Sequence, residues 1–373
     1  MNQDLMVQKI PCPFCRTQVQ FDIGVGDHDG WYKIRCNNVC KTFWIKGMQK
    51  ELLDVIGEEG RTTLSRYNRK LQDNDGIAYY GSGRPKRVLN YYRFASVAAV
   101  HYGLRRAQIE HGGGFEDANM LFVVDAEGER FTLRIYHPEC SADEIRSYLL
   151  WLSALRREAN LMVLEPVPAL DGSPLQLVSV EEVPEPRYCV LFRWIEGKTL
   201  FEIPEESRTP ERIENYGALV ARMHQHAESF VVPEWFTRPR YDREAFSRKL
   251  AELCSEEDFE HSESELAELT EIGERLLHVM DEMREERAVF GLCHNELNDA
   301  NVLFHGNEAG VIDFACVWGY YLADIVRALD LSLKPSEHET FLAGYQWVRP
   351  LPERFEERSK VFREARRIER HWF

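Results

Sequence analysis

Residues 292–315 read "LCHNELNDANVLFHGNEAGVIDFA" and hold the polar side chains that decide the fold. They include His294, a carboxylate at Glu296, an amide at Asn301 and a second carboxylate at Asp313. The amide and the second carboxylate stand twelve positions apart and are separated by short apolar runs that end in a glycine turn. Amide and carboxylate oxygens are ligands that Mg²⁺ prefers. The stretch therefore predicts a magnesium site built by two short strands.

The same spacing resembles the catalytic loop of kinases, in which H-x-D-x-x-x-x-N precedes a metal-binding aspartate by about a dozen residues. Glu296 stands where that pattern has its catalytic aspartate. Glutamate keeps the carboxylate and nearly the same pKa, but its extra methylene moves the oxygens, and a shift of about 1 Å can cost roughly 10²-fold in rate. The loop predicts phosphoryl transfer with an altered proton acceptor.

Composition excludes several classes of protein. The chain has 373 residues, of which 44% are hydrophobic and 29% charged, as in an ordinary globular protein of two or three domains. A net charge of −16 argues against non-specific nucleic-acid binding by the whole molecule. No apolar run approaches the roughly 20 residues of a membrane span. The N-terminus lacks the pattern of a secretory signal, so we expect a cytoplasmic protein.

Four cysteines near the N-terminus are spaced as C-x2-C and C-x3-C, namely Cys12, Cys15, Cys36 and Cys40. In a reducing compartment such pairs suit zinc better than disulfides. The intervening residues alternate as two strands around the turn "GDHDG". We therefore expect residues 1–50 to form a β zinc ribbon with a structural ion, since four thiolates leave no position open for water.

Two points about this ribbon stay open in the sequence. The cysteines could instead be unmetallated core residues, and His28 could replace one ligand. Residues 1–50 hold seven basic and four acidic residues, which permits a nucleic-acid partner, whereas Trp31, Phe43 and Trp44 permit a protein partner. The function of the ribbon is thus the recruitment of an undetermined target.

Residues 51–86 form a connector that is partly helical and then rich in Gly, Asn and Pro, as in "DNDGIAYYGSGRPKR". The body follows, with an N-lobe at 87–194 and a C-lobe at 195–373. This organisation predicts an α+β, bilobal fold with a small antiparallel sheet in the N-lobe and a mostly helical C-lobe.

The N-lobe contains a candidate phosphate-binding turn. Gly112, Gly113 and Gly114 precede two extended segments that are joined by the turn "DAEGE", and Arg134 lies on the second segment. Glycine-rich turns let backbone amides cover phosphates, and a strand cation pairs with them. Glu144, in the helix that follows, is the candidate to orient Arg134.

The segment "RYCVLFRWIEGKTL" is an apolar strand interrupted at Gly197, which is typical of the hinge between two kinase lobes. Backbone groups of a hinge hydrogen-bond adenine. We place the adenine contacts at Phe192, Arg193 and Trp194.

From residue 87 onward the chain resembles the aminoglycoside phosphotransferase and choline kinase superfamily, which has a protein-kinase-like fold. Within it the chain is most similar to the branch of type II homoserine kinases and SrkA/RdoA-type Ser/Thr kinases. The matching segments lie in the same order as in that branch and are "TLRIYHPE", "EIRSYLLWLSALRRE", "VLEPVPALDG", "CVLFRWIEGK", "ALVARMHQHA", "FTRPRYD", "HNELNDANVLFH", "VIDFACVWGYYLADIVRAL" and "GYQWVRPLPE".

The resemblance implies ATP and Mg²⁺ as cofactors, with Asn301 and Asp313 as metal ligands. It also implies a structural role for His294 and a bracing role for Asp324. Besides Glu296, the departures from the family pattern are Asn298, Tyr148 and Ala315.

Two functions follow. The first is an ATP- and Mg²⁺-dependent phosphotransferase that acts on a hydroxyl of a protein or a small molecule, with a slight preference for a macromolecule because a recruiting ribbon is superfluous for a metabolite. The second is a pseudokinase that binds nucleotide and acts through its ribbon. No membrane partner is expected.

Overall fold

The computed structural model describes residues 10–11, 18–23, 31–35, 42–46, 84–114, 119–181, 183, 185–255 and 263–369. These residues pack as two compact units. Unit 1 consists of the residues up to Ala142 together with Pro166–Trp194. Unit 2 consists of Asp143–Glu165 and Ile195–Phe373. Among the described residues, no helix is both long and apolar enough to cross a membrane.

Near the N-terminus, four short strands form one antiparallel sheet in sequential order. They are β1 (Ile10–Pro11), β2 (Gln18–Ile23), β3 (Trp31–Arg35) and β4 (Thr42–Lys46). Cys12, Cys15, Cys36 and Cys40 all lie outside the described residues. Zinc binding by these cysteines therefore stays a prediction.

Unit 1 also holds a five-stranded antiparallel sheet of order β5-β6-β7-β10-β9. Its strands are β5 (Gln108–Gly114), β6 (Met120–Ala126), β7 (Glu129–Ile135), β9 (Leu175–Val178) and β10 (Arg187–Arg193). Strand β6 alternates buried and half-buried residues, so one face of the sheet meets the core. Helix α1 (Arg84–His101) covers that face, with Phe94 and Ala98 packed in one cluster with Phe122 and Leu133.

The predicted hairpin is present, with a correction to the position of the glycines. Glu127 and Gly128 have positive φ values of 54° and 85°, which suits a two-residue turn between β6 and β7. The glycines 112–114 do not precede the first strand. They end β5, where Gly113 pairs with Leu121 after a break in register. Sequence reasoning missed β5 because its residues "QIEHGGG" lack the alternation of a half-buried strand.

Unit 2 is mostly helical. Its helices are α2 (Ala142–Ala159, from the unit boundary), α3 (Pro210–Ser229), α4 (Arg243–Ser255), α5 (Glu263–Met283), α6 (Tyr321–Arg327), α7 (His338–Val348) and α8 (Phe355–Glu369). Helix α2 buries one face, which includes Ile145, Leu149 and Leu152. Helices α4, α5 and α8 share one hydrophobic core, which includes Leu250, Ile272 and Phe362.

Two small sheets complete unit 2. One has the order β11-β13-β14-β8, formed by β8 (Met162–Val163), β11 (Lys198–Thr199), β13 (Val302–His305) and β14 (Glu308–Val311). The other pairs β12 (Phe290–Cys293) with β15 (Val317–Tyr320). The stretch at 292–315 begins in one sheet and passes through the other, which positions the candidate site.

Candidate active site

The candidate catalytic loop, residues 294–301, lies between β12 and β13. Strand β12 pairs with β15 up to Cys293, so the loop starts at His294 at the end of that sheet. Strands β13 and β14 form a hairpin in which Val302 pairs with Val311. The N–H of Ile312 then donates to the carbonyl of Asn301 over 2.9 Å. This hairpin brings the backbone at Asn301 next to the residue that precedes Asp313.

His294 is fully buried and supports the loop through its ring. Its Nδ1 accepts from the N–H of Glu296 at 3.1 Å, so the ring proton sits on Nε2 and is donated to the carbonyl of Ile312 at 3.0 Å. The ring stacks on Phe314 with centroids 4.1 Å apart. Burial lowers the pKa of His294 to about 4, which keeps the imidazole neutral. The structural role implied for His294 agrees with these contacts.

Asp324 braces the start of the loop from helix α6. Its two carboxylate oxygens accept from the N–H groups of His294 and Asn295, each at 2.7 Å. Burial acts to raise the pKa of Asp324, but the hydrogen bond from His224 and the nearby charges outweigh it, and the pKa lies below its ordinary value. An ionised carboxylate thus fixes two consecutive backbone amides.

The atoms of His224, Cys293 and Asp324 that could bind a metal lie within 4.8 Å of one another. All three side chains are buried, and Asp324 already accepts from His224 Nε2 at 3.3 Å. His224 Nδ1 faces the Tyr345 hydroxyl at 3.0 Å. Burial holds the pKa of Cys293 well above its ordinary value, so the thiol stays protonated. We assign this cluster to bracing rather than to metal binding.

Glu296 is held through its backbone at both ends. Its N–H is bound by His294, and its carbonyl accepts from the Nδ2 of Asn301 at 2.8 Å and from the N–H of Asn298 at 2.9 Å. Asn298, one of the departures from the family pattern, also accepts from the N–H of Ala300 at 3.0 Å through its Oδ1. Asn298 therefore shapes the turn of the loop by a local side-chain bond.

Asp313 has a positive φ of 58° and an exposed side chain. An L-residue in this region is uncommon, and it persists where neighbouring contacts fix the backbone. The N–H of Ala315 donates to the carbonyl of His294 at 3.0 Å. Arg238 donates from Nε to the carbonyl of Cys316 at 2.6 Å and from Nη2 to that of Ala315. The chain after Asp313 is thereby held at three points.

Asn301 and Asp313 fit a hard cation such as Mg²⁺. Because the Asn301 amide nitrogen donates to Glu296, its Oδ1 is the atom left for a metal. The Asp313 carboxylate is exposed and would supply a second oxygen to a bound ion.

In unit 1, the residues assigned to phosphate lie on neighbouring strands. Leu121 of β6 pairs with both Gly113 of β5 and Arg134 of β7. Arg134 is 6% exposed, with its guanidinium 5.8 Å from the centre of the Tyr136 ring. The assignment of Gly112, Gly113, Gly114 and Arg134 to phosphate binding stays a prediction.

The three residues assigned to adenine follow one another at the end of β10. Phe192 is buried, whereas Arg193 and Trp194 are exposed. The N–H of Trp194 donates to the carbonyl of Arg130 at 3.2 Å, and the Arg130 guanidinium lies 5.3 Å from the Trp194 ring centre.

Glu144 lies on α2 in the other unit, and its backbone carbonyl accepts from Arg238 Nη1 at 3.2 Å. The orienting of Arg134 by Glu144 stays a prediction. Tyr148, one turn further along α2, is buried.

Sequence reasoning missed two residues of this site. Arg238 lies in the quoted segment "FTRPRYD", but nothing local to that segment shows that its guanidinium holds the chain after Asp313. Asn295 has a positive φ of 65° and is 4% exposed. Its place between His294 and Glu296 is the signal that could have drawn attention to it.

Several solved structures share this fold. A microcompartment-associated aminopropanol kinase is 27% identical, with a TM-score of 0.61 over 74% of this chain and 87% of the other. An amicoumacin kinase in complex with AMP-PNP and Ca²⁺ is 18% identical, with a TM-score of 0.61 over 74% and 83%. A spectinomycin phosphotransferase in complex with ADP is 14% identical, with a TM-score of 0.53 over 75% and 85%. No curated protein sequence matches the chain.

The model of the phosphotransferase enzyme family matches residues 108–358, which include the catalytic loop, Asp313 and Asp324. The match and the kinase neighbours support an ATP-dependent enzyme that phosphorylates a hydroxyl acceptor. This chain belongs to the phosphotransferase enzyme family.

Proposed function

We propose that the protein transfers the γ-phosphoryl group of ATP to a hydroxyl group of a small molecule. In this proposal Glu296 positions and deprotonates the hydroxyl, Asn301 and Asp313 hold Mg²⁺, and Arg134 with Gly112–Gly114 binds phosphates. Glu144 orients Arg134, and the backbone at Phe192, Arg193 and Trp194 binds adenine. Glu296, Asn301 and Asp313 are thus the proposed catalytic residues.

The observation that carries the proposal is the set of backbone bonds that connects these residues in unit 2. Asn301 binds the carbonyl of Glu296 with its side chain and the N–H of Ile312 with its carbonyl. His294 binds the N–H of Glu296 and the carbonyl of Ile312 with its ring. Both residues therefore link the backbone of Glu296 to the residue before Asp313. Such preorganised positioning is the main contribution of a protein to phosphoryl transfer.

The proposed step balances as follows. The acceptor hydroxyl passes its proton to the carboxylate of Glu296 while its oxygen forms a bond to the γ-phosphorus. The bond from that phosphorus to the bridging oxygen of ADP breaks, and ADP leaves with the electron pair. A magnesium ion, when bound, neutralises charge on the phosphate oxygens.

The hydrogen bonds to the Glu296 backbone determine how the glutamate, which replaces the usual aspartate, can place its carboxylate. Because its N–H and carbonyl are both bound, the extra methylene must be absorbed by the side chain. Glutamate has one more rotatable bond than aspartate, so the carboxylate reaches further from the same backbone position. We infer that the acceptor hydroxyl is held further from the loop than it is over an aspartate.

A small acceptor is supported by the neighbour of 27% identity, whose name gives aminopropanol as its substrate. The preference for a macromolecular acceptor rests on the N-terminal ribbon alone. We retain a recruiting role for that ribbon, with zinc at Cys12, Cys15, Cys36 and Cys40, as a separate proposal. Zinc content of the purified full chain, measured by elemental analysis, tests it.

Within the family, the order of the signature segments supports a place near the type II homoserine kinases and the SrkA/RdoA-type kinases. We propose this branch on those segments. The pseudokinase alternative rests on Glu296 and on the other departures from the family pattern at Asn298, Tyr148 and Ala315. An assay of ATP turnover distinguishes it from the phosphotransferase.

The experiment is a screen of ATP consumption with the full chain, Mg²⁺ and a panel of small alcohols, amino alcohols and proteins. Phosphorylated products are identified with radiolabelled ATP. We expect turnover with a small alcohol, loss of turnover in Asp313→Ala, and wild-type turnover in Asp281→Asn. Asp281 is a matched control because its exposed carboxylate pairs with Arg243 on the surface.

The outcomes separate the two functions. Turnover that disappears in Asp313→Ala supports the phosphotransferase. Binding of ATP without turnover on any acceptor, with turnover appearing in Glu296→Asp, supports the pseudokinase and overturns the proposal.

A further inference from the structure

The chain from Asp313 to Cys316 has an uncommon backbone conformation at both ends. Asp313 has a φ of 58° and Cys316 a φ of 53°, and neither residue is a glycine. L-residues rarely adopt this region, so such a conformation persists only where surrounding contacts determine it. The place of the Asp313 carboxylate, a proposed magnesium ligand, depends on this backbone. The contacts that fix residues 313–316 therefore influence metal binding.

The guanidinium of Arg238 binds the end of this segment. Its Nε donates to the carbonyl of Cys316 at 2.6 Å, and its Nη2 donates to that of Ala315. Its Nη1 donates to the carbonyl of Glu144 in helix α2 at 3.2 Å. Each of the three nitrogens thus binds a different backbone carbonyl, and hydrogen bonds from a charged donor are stronger than those from a neutral one. One cation therefore ties residues 315–316 to a helix.

The peptide unit between Ala315 and Cys316 is bound on both sides. Its carbonyl, that of Ala315, accepts from Arg238, and its N–H, that of Cys316, donates to the carbonyl of His294 at 3.4 Å. The N–H of Ala315 donates to the same carbonyl at 3.0 Å. The loop thus holds the N–H groups of these two residues, and Arg238 holds their carbonyls. Removal of the guanidinium leaves the peptide unit bound on one side only.

Arg238 is itself fixed by contacts of its two neighbours in the chain. The N–H of Thr237 donates to the hydroxyl oxygen of Ser147 in α2 at 2.9 Å. The carbonyl of Pro239 accepts from the N–H of Trp318 at 2.8 Å. A residue that precedes proline is also restricted to an extended backbone. Arg238 is therefore a rigid link between α2 and the chain that follows Asp313.

We propose that Arg238 is a positioning residue for Asp313. By binding the carbonyls of Ala315 and Cys316, it holds the chain after Asp313 in the conformation that presents the Asp313 carboxylate to Mg²⁺. This inference rests on the proposed function, in which Asp313 binds the metal. Arg238 itself binds neither metal nor nucleotide and acts through the backbone alone.

The role requires the shape of arginine as well as its charge. The donors of a guanidinium are spread over a planar fork, whereas a lysine has one nitrogen at the end of a flexible chain. Arg238→Lys therefore keeps the positive charge but cannot reproduce the spacing of the three bonds. If Arg238 acted on the metal site by its charge, the lysine variant would behave as wild type. If it acts by geometry, the lysine variant is impaired.

The test measures how much Mg²⁺ tightens nucleotide binding. The full chain is titrated with ADP by isothermal calorimetry, once with excess Mg²⁺ and once with EDTA. The Kd in EDTA divided by the Kd in Mg²⁺ is the metal ratio. We expect Arg238→Ala to lower the metal ratio about tenfold and to change the Kd in EDTA by less than about twofold, since loss of a residue that orients a metal ligand costs about 10–100-fold in metal affinity. A general loss of structure would weaken both titrations and leave the ratio unchanged, which would overturn the inference.

A double variant tests whether Arg238 acts through Asp313. Asp313→Ala should lower the metal ratio, with Asn301 remaining as a ligand. Adding Arg238→Ala should lower it little further, because two residues that act on one contact are not additive. Additive losses would show that Arg238 acts elsewhere and would overturn the inference.

Arg287→Ala is the matched control. Arg287 Nη1 also donates to backbone carbonyls, those of Ala227, Glu228 and Phe230, at the C-terminal end of helix α3. This variant should keep the wild-type metal ratio. Circular dichroism verifies the fold of each variant, and Arg238→Lys decides the question if Arg238→Ala does not fold. A wild-type ratio in Arg238→Lys would overturn the inference.

The binding data separate this inference from the proposed function. A metal ratio that Asp313→Ala lowers and Arg238→Ala leaves unchanged overturns the role of Arg238 and keeps Asp313 as a metal ligand. A metal ratio that Asp313→Ala leaves unchanged overturns both. A ratio that falls in both variants supports the role of Arg238, even where no acceptor in the panel is phosphorylated.

Discussion

The side-chain amide of Asn301 donates a 2.8 Å hydrogen bond to the backbone carbonyl of Glu296. One residue thus supplies a proposed metal ligand through its oxygen and fixes the proposed proton acceptor through its nitrogen. The bond orients the amide, because only the nitrogen can donate to a carbonyl. Loss of Asn301 should therefore affect both metal binding and the position of Glu296.

We expect Asn301→Ala to lower kcat by about 10²-fold or more, because a 1 Å misplacement alone can have that effect. It should also raise the Mg²⁺ concentration needed for half-maximal activity. Steady-state assays at varied Mg²⁺ measure both quantities. Asn307→Ala is the control, since Asn307 lies in the exposed turn after β13 and bonds Glu211 at 2.7 Å. Equal activity of the two variants would contradict the metal-ligand role.

Glu296→Gln removes the charge and keeps the length of the side chain. We expect kcat to fall by about 10²–10⁴-fold, the usual contribution of a general base. Nucleotide binding should persist, as measured by calorimetry. Glu308→Gln, at an exposed position of β14, serves as the control. A Glu296→Gln enzyme with wild-type kcat would rule out proton transfer to this residue.

Asp324→Asn should destabilise unit 2. Both carboxylate oxygens of the fully buried Asp324 accept a backbone N–H. In asparagine one of them becomes an NH₂ group, which cannot accept that hydrogen bond. Breaking a buried charged network costs about 3–5 kcal/mol in the free energy of unfolding. Urea denaturation measures it. Asp281→Asn removes only an exposed ion pair and should cost less than about 1 kcal/mol. Similar losses in both variants would contradict the bracing role.

The buried His294 gives stability a pH dependence. Its folded pKa of about 4 lies below the ordinary 6.5, so the unfolded chain binds more protons between these values. Stability should therefore fall as pH decreases from about 6.5 to about 4, by up to about 1.4 kcal/mol per pH unit from this group. His224, whose pKa burial also lowers, acts in the same direction.

His294→Asn removes this titration and should flatten the slope of unfolding free energy against pH. The slope is read from urea denaturation at several pH values, so a constant loss of stability does not disturb it. His278→Asn, which changes a histidine with a 77% exposed side chain, should leave the slope unchanged. If both variants keep the wild-type slope, His294 does not titrate as proposed.

The parts of the site that the sequence predicts are local. The spacing from His294 to Asp313 spans one loop and one hairpin, so residue order alone brings the backbone at Asn301 next to Ile312, the residue before Asp313. Helix α2 shows its buried face by its period. The glycines at 112–114 are typical of a turn, which is what the sequence predicts, but in the structure they pair with β6 as part of strand β5.

The parts that the sequence does not predict depend on distant contacts. Arg238 reaches the carbonyls of Ala315 and Cys316, more than 70 residues further along the chain. The apolar periodicity of helix α2 gives no sign that residues 143–165 group with unit 2 while the strands on either side belong to unit 1. Nothing local to Asn295 shows that it lines a cavity with residues from four helices.

The crossing of α3 and α7 is another such contact and gives the last prediction. A Cβ on Gly217 would collide with the backbone carbonyl of Phe341, and a Cβ on Gly344 would collide with that of Glu214. Backbone atoms cannot move aside as a flexible side chain can, so Gly217→Ala must separate two helices. We expect a loss of about 3 kcal/mol, at the upper end of the usual cost of overpacking.

Gly273→Ala in helix α5 is the matched control. The three atoms nearest to a Cβ there all belong to the side chain of Leu250, which can change its rotamer. Alanine also favours a helix over glycine by about 1 kcal/mol, which offsets the crowding, so the free energy of unfolding should change by no more than about that amount. Thermal and urea denaturation of both variants give the comparison. Because both changes add one methyl group to a helical glycine, a difference between them measures the backbone contact at the α3–α7 crossing, and equal stabilities would show that the two helices do not approach so closely.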